Sequence, residues 1–201
     1  NLFSDLVQII VPLLHVEVLG FITYNNTEHT LEGQLPFHGL PPQFIELYRI
    51  AIQNNAAEQV ILDQKTIITE NAAEDHTWEL LGLNSLAMAA SLRETILQPI
   101  TSGGHMLGYL QASNHSGGYR TFDSQELELI SIIAKLVAPL IENNYLARQN
   151  KLRAMRSETL RRIANLASSS MPLNDITRIS LQEIAKLYKT NACFLLLINH
   201  A

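Results

Sequence analysis

Seven histidines and a single cysteine are the residues of this 201-residue chain best suited to chemistry. The histidines are His15, His29, His38, His76, His105, His115 and His200. No two stand at i and i+4 and none neighbours the cysteine, so no metal-ligand spacing is present. Cys193 lies in the apolar run ACFLLLI, where a thiol reads as a small buried hydrophobe. Neither a GxxxxGK[ST] phosphate loop nor a GxSxG nucleophile elbow occurs. Ser102-Gly103-Gly104 and Ser116-Gly117-Gly118 read as turns. Arg148, Lys151, Arg153, Arg156, Arg161 and Arg162, with Glu158 as the lone acid, read as a solvated helical face. No catalytic set emerges, and the expectation is a protein that is not an enzyme.

Composition narrows the class further. Hydrophobic residues make up 47% and charged residues 16%, which suits a globular protein with a real core. A formal net charge of −5 argues against generic attraction to nucleic acid or acidic membrane. One cysteine permits no internal disulfide, which points to a reducing, cytoplasmic setting. No apolar run approaches the roughly 18–20 residues of a membrane span. The first residue is Asn1, without an initiator Met or a signal peptide, so the chain reads as an excised or processed piece of a larger protein.

The elements that must position any site are clearest between residues 91 and 145. Apolar, strand-like runs at 96–100 and 106–112 flank the Ser-Gly-Gly turn, a hairpin signal, and a loop at 115–120 follows. Asp123 with Glu126 three residues later predicts a helix start by reciprocal capping. Leu127, Ile130, Ala134, Val137 and Ile141 then repeat at helical spacing, and Pro139 is expected to kink that helix. Upstream, residues 2–14 predict an amphipathic helix perturbed or ended at Pro12. Residues 16–24 predict a strand with 30–35 as its hairpin partner. A helix is expected over 42–54, with Phe44, Leu47, Tyr48 and Ala51 on one side, and a short strand over 59–62. Residues 63–90 read as irregular, with short helices at 77–81, stopped by Gly82, and at 84–92.

Leu97, Pro99 and Ile100, then Gly104 and Gly108-Tyr109-Leu110, then Phe122, Glu126, Leu127, Ile130 and Ala134, and finally Ile141-Glu142-Asn143 follow a recognisable spacing. It resembles the end of a GAF domain, the small ligand-sensing module of bacterial signalling proteins and cyclic-nucleotide phosphodiesterases. The resemblance implies an α+β, PAS-like fold. A central antiparallel sheet of five or six strands would carry its first and last helices on one face and an irregular covering segment, with a pocket beneath it, on the other. Candidate lining residues are Trp78, His76, Tyr48, Arg93, Gln111 and Tyr119, with His38 and Met88 beside them. His76 is the candidate for a haem ligand. The cofactor is unknown, and no covalent bilin is expected in residues 1–146, which lack cysteine. The family's cyclic-nucleotide pattern is met only in part. Asn114, Phe122 and Glu126 fit, but His115 replaces the basic residue and Leu127 stands where a final Glu belongs.

Residues 2–24 and 173–198 resemble each other: each has an early Asp (Asp5, Asp175), an amphipathic helix and then an apolar run. A repeat offset by about 170 residues suggests tandem domains. The organisation expected is a GAF-like domain over 1–146, a helical connector over 147–171 and the truncated start of a second GAF-like domain over 172–201. Ile141, Tyr145, Leu152 and Met155 form a loose stripe suited to a parallel signalling helix in a homodimer. The resemblance implies a sensor of a small molecule that relays to a histidine kinase, a cyclic-dinucleotide enzyme or a transcription regulator on the same polypeptide. Two other readings stand beside it: a dimerisation scaffold with a self-filled pocket, and a redox enzyme of the same fold, against which the lack of cysteine in 1–192 counts.

Overall fold

The computed structural model describes residues 1–45, 48–52, 56–168, 171–188 and 190–196. The chain divides into two units, Asn1–Asn144 and Tyr145–Ala201.

In the first unit, six strands form one antiparallel sheet in the order β3-β2-β1-β6-β5-β4. The strands are β1 (Val16–Asn25), β2 (Thr30–His38), β3 (Arg49–Ala51), β4 (Ile67–Thr69), β5 (Thr95–Ser102) and β6 (His105–His115). The β5–β6 hairpin forms as the sequence predicts. Gly103 and Gly104 take φ of 56° and 82°, the paired left-handed conformation a two-residue turn needs and glycine adopts without steric cost. The β1–β2 turn is held instead by Asn25, whose Oδ1 accepts from the amides of Thr27 and Glu28.

Helices cover one sheet face. Helix α1 (Leu2–Leu14) buries Leu6, Val7, Ile10 and Leu14. It continues through Pro12 and stops at His15, whose φ is 48°. Helix α6 (Ser124–Ala167) buries Ile130, Ile133, Ala134, Val137, Ala138 and Ile141 against the same face and is continuous through Pro139. Its start is the expected capping box. Asp123 Oδ1 accepts from the amides of Gln125 and Glu126, each at 2.9 Å, and Glu126 Oε2 accepts from the Asp123 amide at 2.9 Å. Asp123→Ala is expected to lose about 1 kcal/mol of first-unit stability, readable as a lowered urea midpoint with unchanged slope.

The described residues between 39 and 94 cover the other face and depart from the expected pattern. The helix expected over 42–54 is only α2 (Pro42–Ile45), and β3 follows it. Residues 46–47 and 53–54 of that expected helix lie outside the described ones. Pairing decides the outcome. Leu31 faces Ile50 across the ladder, and Arg49 reaches Glu28 at 3.5 Å and Glu32 at 3.9 Å, so edge pairing with β2 outweighs the helical spacing. The strand expected over 59–62 is helix α3 (Ala56–Leu62), which buries Ala57 and Ile61 four residues apart. Strand β4, absent from the sequence reading, pairs with β5 and buries Ile67 and Thr69 while Ile68 faces outward. Helices α4 (His76–Leu80) and α5 (Asn84–Ala89) lie close to the expected short helices. Asp75 caps α4, its Oδ1 accepting from the amides of Thr77 (2.8 Å) and Trp78 (3.1 Å).

The second unit holds the rest of α6 and helix α7 (Leu173–Tyr188), none of whose residues is fully buried. Glu158 binds Arg161 and Arg162, and these hydrogen bonds hold its carboxyl down at about 2. Residues 190–196 form no strand, and residues 197–201 lie outside the described ones. Among the described residues, no helix is long and apolar enough to cross a membrane.

Candidate functional site

Strand β6 alternates its side chains between the two sheet faces. Leu110 and Ala112 join the core under α1 and α6, whereas Tyr109 joins the core under the covering segment. Gln111 and Ser113 share Tyr109's side of the strand and are fully buried there. A line of polar groups crosses this side. Tyr48 donates its hydroxyl to Gln111 Oε1 at 2.5 Å, and Gln111 Nε2 donates to Ser113 Oγ at 3.0 Å. The hydroxyls of Ser113 and Thr95 are hydrogen-bonded at 2.8 Å, and Thr95 also reaches the Arg93 carbonyl at 3.2 Å. Burial pushes the Tyr48 phenol well up, and the Gln111 hydrogen bond only partly offsets that, so Tyr48 is a donor at any ordinary pH.

Around this line stands a dense apolar shell. Phe37 stacks on Tyr48 with ring centroids 5.3 Å apart, and Trp78 belongs to the same cluster. Among the described residues, two polar atoms of the shell have no partner: Trp78 Nε1 and the Tyr109 hydroxyl, both on fully buried residues. Burial, with a smaller contribution from Asp63, also raises the Tyr109 phenol. An unpartnered buried donor costs about 1–3 kcal/mol, so two of them are a departure from ordinary packing.

The six candidate lining residues divide evenly. Tyr48, Trp78 and Gln111 come together beneath the covering segment. His76, Arg93 and Tyr119 face outward. His76 lies 3.6 Å from Glu79, Arg93 lies between Glu17 and Glu94, and Tyr119 is 58% exposed. His38 and Met88 are also exposed. Sequence reasoning missed Tyr109, Ser113 and Thr95, although the period-two pattern of β6 places 109, 111 and 113 on one side. Two surface clefts lie elsewhere. One of 210 Å³ sits between the end of α1 and the start of α6, and one of 380 Å³ sits in the second unit by Arg162 and Ile179. Of the stripe expected to signal, Ile141 packs into its own domain's core, while Tyr145, Leu152 and Met155 are about half exposed.

A second polar assembly joins the end of β6 to the start of α6. His115, 1% exposed, faces Glu94 through Nδ1 at 3.3 Å and Glu126 through Nε2 at 3.2 Å. Its backbone amide donates to Glu94 Oε1 at 2.8 Å, and its ring lies 4.2 Å from that of Phe122. Arg120 forks onto both carboxylate oxygens of Glu126. Burial alone would raise the Glu126 carboxyl, but the hydrogen bonds from Arg120 and the Asp123 amide hold it below the usual range. Asn114 completes the junction: its side chain accepts from the Arg93 amide and donates to the Ser91 carbonyl. Glu94, which the sequence reading did not single out, is the buried carboxylate of this group. Among the described residues, no group of three His, Cys, Asp or Glu is placed to hold a metal ion.

No curated protein matches the chain. Among solved structures, the domain of a two-component sensor histidine kinase protein from Sinorhizobium meliloti superposes with a TM-score of 0.56 at 13% identity, covering 74% of this chain and 94% of that one. The second GAF domain of DevS from Mycobacterium smegmatis gives 0.53 at 18% identity, over 74% of this chain and 96% of that one. Free methionine-R-sulfoxide reductase from Neisseria meningitidis gives 0.55 at 18% identity, over 72% and 78%. These likenesses are of fold. The family model described as GAF domain matches residues 1–142, well over half the chain, and the chain therefore belongs to the GAF domain family.

Proposed function

We propose that the first unit is a non-catalytic sensory and regulatory GAF module of a bacterial signalling protein, in the cytoplasm. It binds a small uncharged molecule beneath its covering segment and passes the change in packing to α6, which leads toward an output domain. The observation that carries this reading is the pair of unpartnered buried donors, Trp78 Nε1 and Tyr109 OH, on the side of the sheet that holds the Tyr48–Gln111–Ser113–Thr95 line. Buried polar groups ordinarily have partners, and a ligand with acceptor atoms would supply them. A two-component sensor kinase and a methyl-accepting chemotaxis protein stand among the fold neighbours, which supports a regulatory setting. The test is native mass spectrometry of the purified protein before and after denaturation, with an absorption spectrum. A small molecule released on denaturation is the expected result, and a bare chain without visible absorbance counts against it.

A dimerisation scaffold is the second reading, favoured by a specific surface. Leu129, Ile132, Leu136 and Leu140 lie exposed along α6, and Ile9 and Leu13 lie exposed along α1. A row of this kind is what a second copy would cover. Leu136, 67% exposed, can change without disturbing its own core. Leu136→Glu is expected to weaken self-association about tenfold or more, measured by sedimentation velocity, with the far-UV circular dichroism spectrum unchanged. The redox-enzyme reading has no thiol in residues 1–192 to work with, so methionine sulfoxide turnover is not expected. A helical connector over 147–171 and the start of a second GAF-like domain at 172–201 fit an amphipathic α7 that has no buried residue.

A further inference from the structure

We propose that His115 is a proton-operated latch between the sheet and the first turn of α6. Both ring nitrogens face carboxylates, Glu94 at 3.3 Å and Glu126 at 3.2 Å, and His115 and Glu94 are each 1% exposed. A neutral imidazole has one N–H and one lone pair, so it can donate to only one of the two. Only the imidazolium donates to both. The Phe122 ring lies 4.2 Å from the imidazole and closes this side of it.

The geometry also says which end lets go. Glu94 is buried, and among the described residues its Oε2 has no hydrogen-bond donor, with Arg93 Nε 3.6 Å away. Removing the Nδ1 proton from that side would leave a buried carboxylate poorly compensated. Glu126 is 18% exposed and keeps Arg120 and the Asp123 amide without His115. Loss of the proton therefore leaves Nδ1–H on Glu94 and turns a lone pair toward Glu126. The first turn of α6 is then held by Arg120 and its cap alone.

The other charges around the ring set the sign. Arg93 and Glu94 precede β5, and Glu17 on β1 pairs with Arg93 at 3.8 Å. Arg120 and Asp123 lie on the loop before α6, 4.0 Å apart, and His15 ends α1, its carbonyl accepting from the Ser116 amide. Glu126 is held ionised below the usual carboxylate range, so it stays an acceptor throughout the span in which histidine ordinarily titrates. Closing the latch takes up a proton, so closure is favoured as pH falls from 8 toward 6. The device sits at the one place where the sheet's last strand hands over to the long helix, and it works whether or not a ligand binds beneath the covering segment.

The experiment uses the full chain. Nitrogen NMR of the His115 ring reads its protonation directly, and amide exchange at 124–127, corrected for intrinsic rates, reads the helix start. Between pH 8 and 6 the ring is expected to pass from one protonated nitrogen to two. Protection at 124–127 should rise together with it, by about three- to tenfold per pH unit, the ceiling set by one proton. His115→Gln should abolish the pH dependence and leave protection low; His115→Lys, permanently charged, should abolish it and leave protection high. A ring that stays neutral through the range, or a pH dependence that survives in His115→Gln, overturns the latch.

Discussion

Trp78→Ala is expected to destabilise the first unit by about 3–5 kcal/mol, whereas Trp78→Phe should cost less than about 2 kcal/mol. The difference follows from what the indole does. It is fully buried at the centre of the covering-side cluster, so truncation to alanine leaves a cavity bounded by large, well-packed neighbours. Phenylalanine keeps most of the apolar volume and removes Nε1, an atom with no partner. Removing an unsatisfied buried donor recovers part of the packing loss. Far-UV circular dichroism in urea measures both, since the only tryptophan is itself being changed. The pair also addresses function. If Nε1 donates to a bound molecule, Trp78→Phe will fold with near-normal stability and lose that molecule on purification. A Trp78→Phe variant that still releases the molecule on denaturation would show that Nε1 does not hold it.

The sequence was most legible where the physics is local. Gly103-Gly104 between two alternating runs specifies a hairpin within a few residues, and Asp123 with Glu126 specifies a helix start within one turn. The burial of Ile130, Ala134, Val137 and Ile141 follows from their spacing. Legibility fails where long-range pairing decides. Tyr48 and Ile50 sit in a stretch with a helical pattern, but the open edge of β2 and the acids Glu28 and Glu32 draw Arg49–Ala51 into the sheet. Val60 and Ile61 look β-forming, yet the Ala57–Ile61 spacing against the core makes a helix. The candidate site shows the same division. His76 and Trp78 looked like partners because they are close in sequence. Two residues apart on a helix they point nearly opposite ways, and the Asp75 cap fixes Trp78 as the inward one. His115 was visible as the residue replacing a basic one, but Glu94, 21 positions away, was not. Nothing local marks a glutamate as buried when its hydrogen-bond donors stand at the end of another strand.

The Tyr48–Gln111 bond is the other place where a small change should have a large effect. Gln111→Leu fits the volume but strips the Tyr48 hydroxyl of its acceptor and Ser113 of a donor, both fully buried. A loss of about 2–4 kcal/mol is expected. Tyr48→Phe leaves Gln111 Oε1 unpaired and should cost about 1–2 kcal/mol. The double variant removes both ends, so its loss should fall short of the sum by about 1–2 kcal/mol. Strict additivity would mean that the two groups do not interact as the structure has them. Urea unfolding followed by Trp78 fluorescence reports on the first unit alone. The same phenol gives a pH signature. Burial raises Tyr48 and Tyr109 above their ordinary value of 10, so the folded chain keeps protons that the unfolded chain releases. The stability this brings is complete below pH 10 and is lost as pH rises beyond it, at about 1.4 kcal/mol per pH unit for each buried phenol. Tyr48→Phe removes one of these buried phenols, so above pH 10 its stability should fall less steeply than that of the parent, by about 1.4 kcal/mol per pH unit. An unchanged slope would place the titrating phenols elsewhere and detach Tyr48 from the buried line.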